Sequence, residues 1–444
     1  MHTLNESSLD KNVDAARPSE ISGFIRWVRM LLQPGIGIKR WILLGASGVV
    51  LVAVGIAFAL AIPFGPFLVD VGRTVTFGTV VGGVLRGVAL GVLGFGLIGA
   101  SAFMLYRRVA FGARYQQNGK VIEGLTLHRF RSTGPKVVAI GGGTGLSSLL
   151  RGLKHYTHEI TAIVTVADDG GSSGRLREEL GISPPGDARQ CLIALSESEP
   201  MMEEALSYRF ESGAGLEGHN LGNLLLAALV HTRGSFHDAV QAAGALLAVR
   251  GKVVPSSIAS DLRLMARTVG NRVLTGESAI GHAGERIGEV WLEPADALVN
   301  QAALDAIASA DIIVIGPGSL YTSILPNLLV RGISDAINRS VAPKVLVCNI
   351  ATQHGETDGL SAEDHLRILE HTGDVAVTHF LVNEHHIRVD PKYHQDPVVI
   401  EDGIEGFGGA VLREDLVDVS FPTRHDPMKL ADSIYAIVRS TSRR

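Results

Sequence analysis

Two long uncharged segments near the amino terminus dominate the hydropathy pattern of the chain. The first runs from Trp41 to Val69 and the second from Gly87 to Tyr106. A helix needs roughly 20 predominantly apolar residues to cross the hydrocarbon core of a bilayer, and both segments are long enough. Glycines recur through the second segment, which allows two helices to approach closely. The pattern therefore predicts a hairpin of two transmembrane helices over residues 41–106, preceded by a tail of residues 1–40.

Basic residues flank this hairpin asymmetrically, which predicts its orientation. Those outside the two segments are Arg26, Arg29, Lys39, Arg40, Arg107, Arg108 and Arg114, whereas the connecting loop has Arg73 and Arg86. Because basic residues concentrate on the cytoplasmic side, both ends should face the cytoplasm, with the hairpin in the cytoplasmic membrane. A cleaved signal peptide is disfavoured by the long polar segment before Trp41. A pair of buried soluble helices is disfavoured by the length of the uncharged runs.

Beyond a polar linker over residues 107–133, short β-branched runs alternate with amphipathic stretches. The strand-like runs are 136–140, 160–166, 311–316, 344–348 and 375–382, with smaller ones near 252 and 290. Continuous apolar runs of this length are typical of strands buried on both faces of a parallel sheet. The pattern predicts a Rossmann-like α/β domain over residues 134–444, with a doubly wound, mostly parallel sheet. Folds of this class bind ligands at the carboxyl ends of their strands.

Composition agrees with a membrane segment joined to an intracellular domain. Charged residues make up 19% of the 444 residues and the mean hydropathy is +0.24. Soluble chains usually carry about 25% charged residues. The net charge of −5 argues against nucleic acid as a partner, since domains that bind it are usually basic. Cys191 and Cys348 are too few for a disulfide framework or a zinc site built from thiols.

Two glycine-rich turns each follow a predicted strand and precede a predicted helix. They are Gly141-Gly142-Gly143-Thr144-Gly145 and Gly316-Pro317-Gly318-Ser319. Backbone N–H groups at the start of a helix can bind phosphate, and a merely tight turn is the alternative. In the first turn Leu146 breaks the dinucleotide fingerprint and no Gly-Lys-Ser/Thr follows, so that turn is neither a dinucleotide-binding motif nor a P-loop. Tyr321, on the first turn of the second helix, is predicted to stack on a base or sugar.

Further polar residues that suit such a site follow the other strands. Asp168 and Asp169 end the second strand, where carboxylates can bind a ribose hydroxyl, hold Mg²⁺ or act as a base, and a helix cap is the alternative. The other candidate ligand-binding residues are Ser172, Ser173, Arg175, Asp187, His219, Asn220, Asn223, Asn349 and Thr352. Structural roles stay open for them: turn or cap residues, solvated charges and a core histidine. A metal site at Glu384-His385-His386 is disfavoured, because adjacent histidines of a strand point to opposite faces.

Six motifs in chain order resemble the bacterial gluconeogenesis-factor (YvcK-like) family of the CofD-like superfamily. They are GGGTGLSSLLRGLK, VTVADDGGSSGRLREEL, PPGDARQCLIALS, GHNLGNLLLAAL, GPGSLYTSILPNLL and NIATQHGETDGLSAEDH, and the resemblance extends over residues 134 to about 425. The superfamily includes 2-phospho-L-lactate transferases. Asn220, Ala351 and His354 depart from the residues usual in the family, and the hairpin lies outside the common family core.

The resemblance implies a domain that binds a nucleotide-linked ligand, namely a UDP-sugar such as UDP-N-acetylglucosamine. It also implies a role in cell shape, cell-wall precursor allocation and growth on gluconeogenic carbon. The leading hypothesis is thus a membrane-tethered regulator that faces the cytoplasm and for which no catalysis is established. The alternative is a transferase that takes a donor linked to a nucleotide diphosphate, with Mg²⁺ held by Asp168 or Asp169. An NAD-dependent oxidoreductase is disfavoured by the broken fingerprint, and homo-oligomerisation stays open.

Overall fold

The computed structural model describes residues 39–59, 80–113, 134–385, 387, 389–390, 394–400, 404 and 406–441. Contacts within the chain divide it into two units, Met1–Arg129 and Phe130–Arg444.

The described part of the first unit is a pair of antiparallel helices, α1 (Lys39–Ala59) and α2 (Val80–Ala113). Glycines let their backbones touch. A Cβ atom on Gly48 would lie 2.7 Å from the carbonyl oxygen of Gly94, and one on Gly55 would lie 2.6 Å from that of Gly87. By length and composition both helices could cross a membrane. The predicted helical hairpin is therefore present. α1 begins two residues before the predicted start, and α2 extends seven residues beyond the predicted segment at each end, while residues 60–69 of the first predicted segment lie outside the described residues.

The second unit contains the predicted α/β domain. Its strands are β1 (Val137–Gly141), β2 (Ile160–Val164), β3 (Lys252–Pro255), β4 (Arg263–Thr268), β5 (Val273–Thr275), β6 (Ile287–Glu293), β7 (Ile312–Ile315), β8 (Lys344–Val347), β9 (His379–Asn383) and β10 (Ala410–Glu414). Its helices are α3 (Gly143–Leu153), α4 (Gly171–Leu180), α5 (Gly186–Leu195), α6 (Glu199–Ser207), α7 (Leu221–Arg233), α8 (Phe236–Leu246), α9 (Glu277–Gly281), α10 (Gln301–Ala308), α11 (Leu325–Leu328), α12 (Ile333–Arg339), α13 (Ala362–Thr372) and α14 (Pro427–Thr441). A π-helical turn, Leu320–Ile324, precedes α11.

Seven of these strands form one sheet in the order β10-β9-β8-β7-β1-β2-β3. Every neighbouring pair is parallel, so the predicted doubly wound parallel sheet is confirmed. From β1 the chain adds β2 and β3 on one side, and it then returns to add β7, β8, β9 and β10 on the other. The strand order therefore reverses between β1 and β7. In open α/β sheets such a switch point leaves a crevice at the carboxyl ends of the strands.

The central strands are buried on both faces, as their continuous apolar sequences predicted. All described residues of β1, β7 and β8 are buried, α3 and α5 pack on the sheet, and α14 packs on α3. Ile140, Ile313 and Phe380 have no exposed surface. This core fixes the positions of the turns that leave β1 and β7.

A small antiparallel sheet, in the order β5-β4-β6, is inserted between β3 and α10. The sequence predicted only a short strand within it, near residue 290. With α9 it forms a module over residues 263–293, which we call the small-sheet module. Two contacts attach the module to the region after β2. The Ser278 N–H donates to Asp169 Oδ1 at 2.8 Å, and Arg177 Nη2 donates to the carbonyl of Leu262, just before β4, at 2.5 Å.

Candidate functional site

A cleft of about 710 Å³ lies at the carboxyl ends of the strands, where the switch point leaves a crevice. The turns after β1 and β7, the loop after β8, α9 and the loop before α14 line it. Several predicted residues reach this cleft, namely Gly142, Gly143, Thr144, Gly145, Asp168, Gly318, Ser319 and Asn349. The topology thus brings together residues that are far apart in the sequence.

The first glycine turn packs directly against the second. Gly143 has a φ of +60°, a conformation that glycine adopts at little cost. A Cβ atom on Gly145 would lie 2.5 Å from the carbonyl oxygen of Pro317, so the close approach of the two turns requires glycine there. The Gly143 N–H donates to Asp187 Oδ1 at 2.9 Å. Asp187 therefore supports the turn from behind and does not line the cleft.

Several backbone N–H groups of the second glycine turn and the residues after it already donate hydrogen bonds within the protein. The buried Glu356 carboxylate accepts hydrogen bonds from the N–H groups of Tyr321 at 2.9 Å and Thr322 at 3.1 Å, and from the Ser319 hydroxyl. The Gly318 N–H donates to Asn349 Oδ1 at 3.2 Å. These three N–H groups are not available to a phosphate. The Gly143 N–H of the first turn is also engaged, by Asp187, but in the second turn three N–H groups are engaged, so the geometry favours the first turn over the second as a phosphate site, whereas the sequence predicted both.

Tyr321 does not stack on a ligand in the cleft, so that sequence prediction is wrong. Its side chain is 5% exposed and belongs to the main hydrophobic core. Burial raises the pKa of its phenol to about 12. The residue lies in a π-helical turn rather than in the first turn of an α-helix.

The side chains of Asp168 and Asp169 have different contacts. Asp168 lines the cleft, and its Oδ1 accepts the Gly170 N–H at 2.7 Å. Asp169 instead turns to the Ser278 N–H and holds the small-sheet module. Of the two predicted metal-binding or catalytic carboxylates, only Asp168 is placed to meet a ligand.

Four carboxyl groups converge around the cleft, which makes it strongly acidic: Asp168, Asp187, Glu277 and Glu356. Burial, followed by repulsion from Asp168, raises the pKa of Asp187 to about 7. Burial, with repulsion from Asp168 and Asp187, raises the pKa of Glu277 to about 9. Burial also raises the pKa of Asp168 and of Glu356. Like charges in so small a volume cannot all be ionised, and Glu277 is neutral at pH 7.

Three other predicted residues form a buried network that supports the fold. Asn223 Nδ2 donates to Ser172 Oγ at 3.0 Å, and that hydroxyl lies 3.0 Å from His219 Nδ1. Each of the three side chains is no more than 3% exposed. His219 therefore occupies the position of a core histidine, the structural alternative that the sequence left open.

The remaining predicted residues lie around the cleft rather than in its lining. Ser173 hydrogen-bonds to Asp168, and Arg175 Nη2 donates to the carbonyl of Glu217 at 2.9 Å. Thr352 Oγ1 accepts the Asp396 N–H at 3.0 Å, and Asn220 Nδ2 donates to the Ser207 carbonyl at 3.1 Å. Gly141 and Gly316 are backbone positions at the ends of β1 and β7.

Sequence reasoning missed several residues that precede α14 and line the cleft. Phe421, which is 53% exposed, and Arg424 line it, and the Arg424 guanidinium carbon lies 5.3 Å from the centre of the Phe421 ring. His425 is buried, its Nε2 lies 3.1 Å from the Cys348 carbonyl, and burial lowers its pKa to about 4, so it is neutral. These residues belong to the irregular loop before α14, which has no hydrophobic period to mark it.

Known proteins resemble this domain closely. The CofD family, described as 2-phospho-L-lactate transferase, matches residues 137–417. The chain belongs to the CofD family. The gluconeogenesis factor of Halalkalibacterium halodurans is 49% identical over 306 residues, which are 67% of this chain and 95% of the relative. The gluconeogenesis factor of Bacillus subtilis is 46% identical over 313 residues, 69% of this chain and 98% of the relative.

A solved structure agrees with this assignment. The crystal structure of a UPF0052 family member from Bacillus halodurans has a TM-score of 0.64 and 47% sequence identity, and it covers 68% of this chain and 99% of that one. The predicted resemblance to the gluconeogenesis-factor (YvcK-like) branch is therefore confirmed.

The CofD-family cleft has no preformed metal cage among its described residues. No group of three His, Cys, Asp or Glu side chains in the described part of the chain is arranged to hold an ion. His386, part of the disfavoured histidine site, lies outside the described residues. Mg²⁺ in phosphate sites commonly uses only one or two carboxylates, with waters and phosphate oxygens as the other ligands. Asp168 suits that smaller role.

Proposed function

We propose that the cleft binds a UDP-sugar of the UDP-N-acetylglucosamine type. The observation that carries this proposal is the composition of the cleft lining. It combines a glycine turn at the start of α3 with an exposed aromatic ring and an arginine, Phe421 and Arg424. Helix starts bind phosphate oxygens through backbone N–H groups, and aromatic rings stack on bases. A volume of about 710 Å³ is within the range of small-molecule sites.

In this arrangement the diphosphate lies against the turn from Gly142 to Gly145. Phe421 stacks on the uracil, and Asp168 accepts a hydrogen bond from a sugar or ribose hydroxyl. Glu277 lies on the same cleft and is protonated at pH 7, so it donates a hydrogen bond and does not repel the phosphates. The Asn349 side chain accepts the Gly318 N–H through Oδ1 and donates to the Gly318 carbonyl through Nδ2, and these two hydrogen bonds stabilise the second turn.

Mg²⁺ would reduce the remaining repulsion between the ligand phosphates and the acidic lining. Asp168 is the residue that would hold the ion together with phosphate oxygens, and the ion would neutralise negative charge there. The other three carboxyl groups around the cleft are partly protonated or already accept backbone hydrogen bonds.

The biological role that we propose is regulation of cell shape, cell-wall precursor allocation and carbon metabolism, without catalysis. It rests on the names of the relatives and on the resemblance of the motifs. A second candidate is a transferase that uses a nucleotide-diphosphate-linked donor, and the CofD family match favours it. In that case Asp168 would be the carboxylate beside the acceptor hydroxyl.

Isothermal titration calorimetry tests the ligand. Full-length protein in detergent is titrated with UDP-N-acetylglucosamine, GDP and NAD, each with and without Mg²⁺. We expect the UDP-sugar to bind most tightly. Equal or tighter binding of NAD or GDP would overturn the proposal. Incubation with the bound sugar nucleotide, followed by chromatography, separates the two candidate functions, because release of UDP in the presence of an acceptor would establish transfer.

The hairpin is proposed to anchor the domain in the bacterial cytoplasmic membrane, with two spans and the large domain in the cytoplasm. Apolar side chains on its surface face outward, for example Val92 at 68% and Phe95 at 66% exposure. Arg40 lies over the Trp41 ring and Arg107 over the Phe103 ring, and the antiparallel packing puts both pairs at one end. Such pairs suit a membrane interface, with the basic end inside. Protease added to intact spheroplasts should spare the domain, and its digestion would refute this topology.

A further inference from the structure

A second pocket lies beside the first glycine turn and shares Thr144 with the cleft. Its volume is about 240 Å³, and α3, α5 and α6 surround it. We call it the arginine pocket, because Arg151 and Arg189 both line it, together with the polar side chains of Gln190 and Ser207. Its size suits a ligand much smaller than a sugar nucleotide.

The two arginines of this pocket differ in their partners. Arg151 forms ion pairs with Glu199 and, at 2.9 Å, with Glu203, so its charge is neutralised within the protein. Arg189 has no ion pair with any residue that the structure describes. Its Nη1 donates to the neutral Ser207 hydroxyl at 3.1 Å, and its Nε is buried without a hydrogen-bond partner among those residues.

The position of Arg189 is fixed by close packing. A Cβ atom on Gly222, near the start of α7, would lie 2.7 Å from Arg189 Cδ and 3.0 Å from its Cγ. The glycine therefore leaves room for the aliphatic part of the arginine to lie against the helix. A held guanidinium loses less conformational freedom when it binds than a free surface arginine does.

Arg189 is half-buried and has no ion-pair partner among the described residues, and a guanidinium that loses solvation without such a partner is unfavourably placed. We propose that the arginine pocket binds a small anion with phosphate or carboxylate oxygens, which accept hydrogen bonds from Arg189. Burial lowers the pKa of Arg189, which reflects this lost solvation, although the group keeps its charge. Glu203, at the pocket wall, attracts the Arg189 charge, but its ion pair is with Arg151, so Arg189 keeps donor groups that no described carboxylate accepts from.

Inorganic phosphate is the probe for this site. Full-length protein in detergent is titrated with sodium phosphate by calorimetry, at ionic strength matched with sodium chloride. Arg189→Gln should weaken phosphate binding by about 10- to 100-fold, the loss expected for a charge-assisted hydrogen bond. The matched control is Arg233→Gln, which removes the same charge from an exposed residue in the last turn of α7 and should leave the affinity unchanged.

A second variant protects the test against misfolding of Arg189→Gln. Ser207→Asp gives the guanidinium a carboxylate partner within the protein, so phosphate binding should disappear while the melting temperature without ligand rises. Wild-type protein that binds no phosphate would overturn the proposal. So would phosphate affinity that is unchanged in both Arg189→Gln and Ser207→Asp, since binding would then occur elsewhere.

A further titration identifies the source of the anion and separates this proposal from that for the cleft. Phosphate affinity that is unchanged when the cleft is saturated with UDP-N-acetylglucosamine supports a separate small-molecule ligand. Competition supports an oxyanion site occupied by a phosphate of the cleft ligand, reached past Thr144. Failure of UDP-N-acetylglucosamine to bind would refute the cleft ligand, and the dependence of phosphate binding on Arg189 would still stand.

Discussion

Replacing two aromatic residues near the cleft by alanine should have different effects, one on stability and the other on ligand affinity. Tyr321 belongs to the core and is 5% exposed, whereas Phe421 lines the cleft and is 53% exposed. Tyr321→Ala should therefore lower stability, and Phe421→Ala should lower ligand affinity. The two variants remove side chains of similar size, so each is a control for the other.

The expected magnitudes follow from burial. Replacing a buried aromatic residue by alanine costs about 3–5 kcal/mol, because apolar contacts are lost and a cavity is left. At roughly 2 °C per kcal/mol, a slope suited to a domain of this size, Tyr321→Ala should lower the melting temperature by about 6–10 °C. Phe421 is about half in water, so its truncation should cost roughly 1 kcal/mol, or about 2 °C. Loss of a base-stacking contact should weaken the UDP-sugar by about 5- to 150-fold.

Differential scanning calorimetry without ligand and titration with UDP-N-acetylglucosamine together measure these effects. Tyr321→Phe, which removes only the hydroxyl, should keep most of the stability that Tyr321→Ala loses. The reasoning would be refuted if Tyr321→Ala melted within about 2 °C of wild type and lost ligand affinity, since the tyrosine would then act in the cleft. Unchanged ligand affinity in Phe421→Ala would exclude stacking on that ring.

Three further predictions test other parts of the structure. The pKa of Asp187 is about 7 in the folded protein, against an ordinary value of 3.8, so the unfolded chain loses this proton first as the pH rises. The free energy of unfolding of the wild type should therefore fall between about pH 4 and pH 7. Urea denaturation of Asp187→Asn should show a smaller fall over that range. Gly276→Ala should lower the melting temperature, since φ is +91° and the new Cβ atom would overlap Asp169 Oδ2, and an unchanged value would argue against that contact. Gly94→Leu should separate the hairpin helices at Gly48 and raise their amide hydrogen exchange in detergent.

The parallel sheet could be predicted because its strands carry their own signal. A strand covered on both faces needs apolar residues at every position, and runs such as Ile312–Ile315 have this composition. The glycine turns follow these runs directly, so predicting the strands also placed the turns at the carboxyl ends of the sheet. The small-sheet module was not predicted as a unit, since the side chains of β5 are exposed or half-buried and leave no clear alternation.

The roles of individual side chains at the site were harder to predict, because distant segments decide them. Asp168 and Asp169 are neighbours in the sequence, yet Asp169 bonds to Ser278, which lies 109 residues further along. Glu356 reaches the turn after β7 from a separate loop and takes its N–H groups from any phosphate. A local motif reveals that a turn has donors, but it does not reveal which of them the rest of the chain already uses.

The acidity of the cleft and the proposed phosphate ligand are compatible because the carboxyl groups in its lining and directly behind it are not all ionised. Glu277 and Asp187 hold protons at or above neutral pH, and both owe this to burial first and to neighbouring carboxylates second. A protonated carboxyl donates a hydrogen bond to a phosphate or sugar oxygen, which an ionised one cannot do. The same groups would release protons if Mg²⁺ entered with the ligand. The carboxyl groups therefore make the charge of the cleft adjustable, and this property suits the diphosphate that we propose beside Asp168.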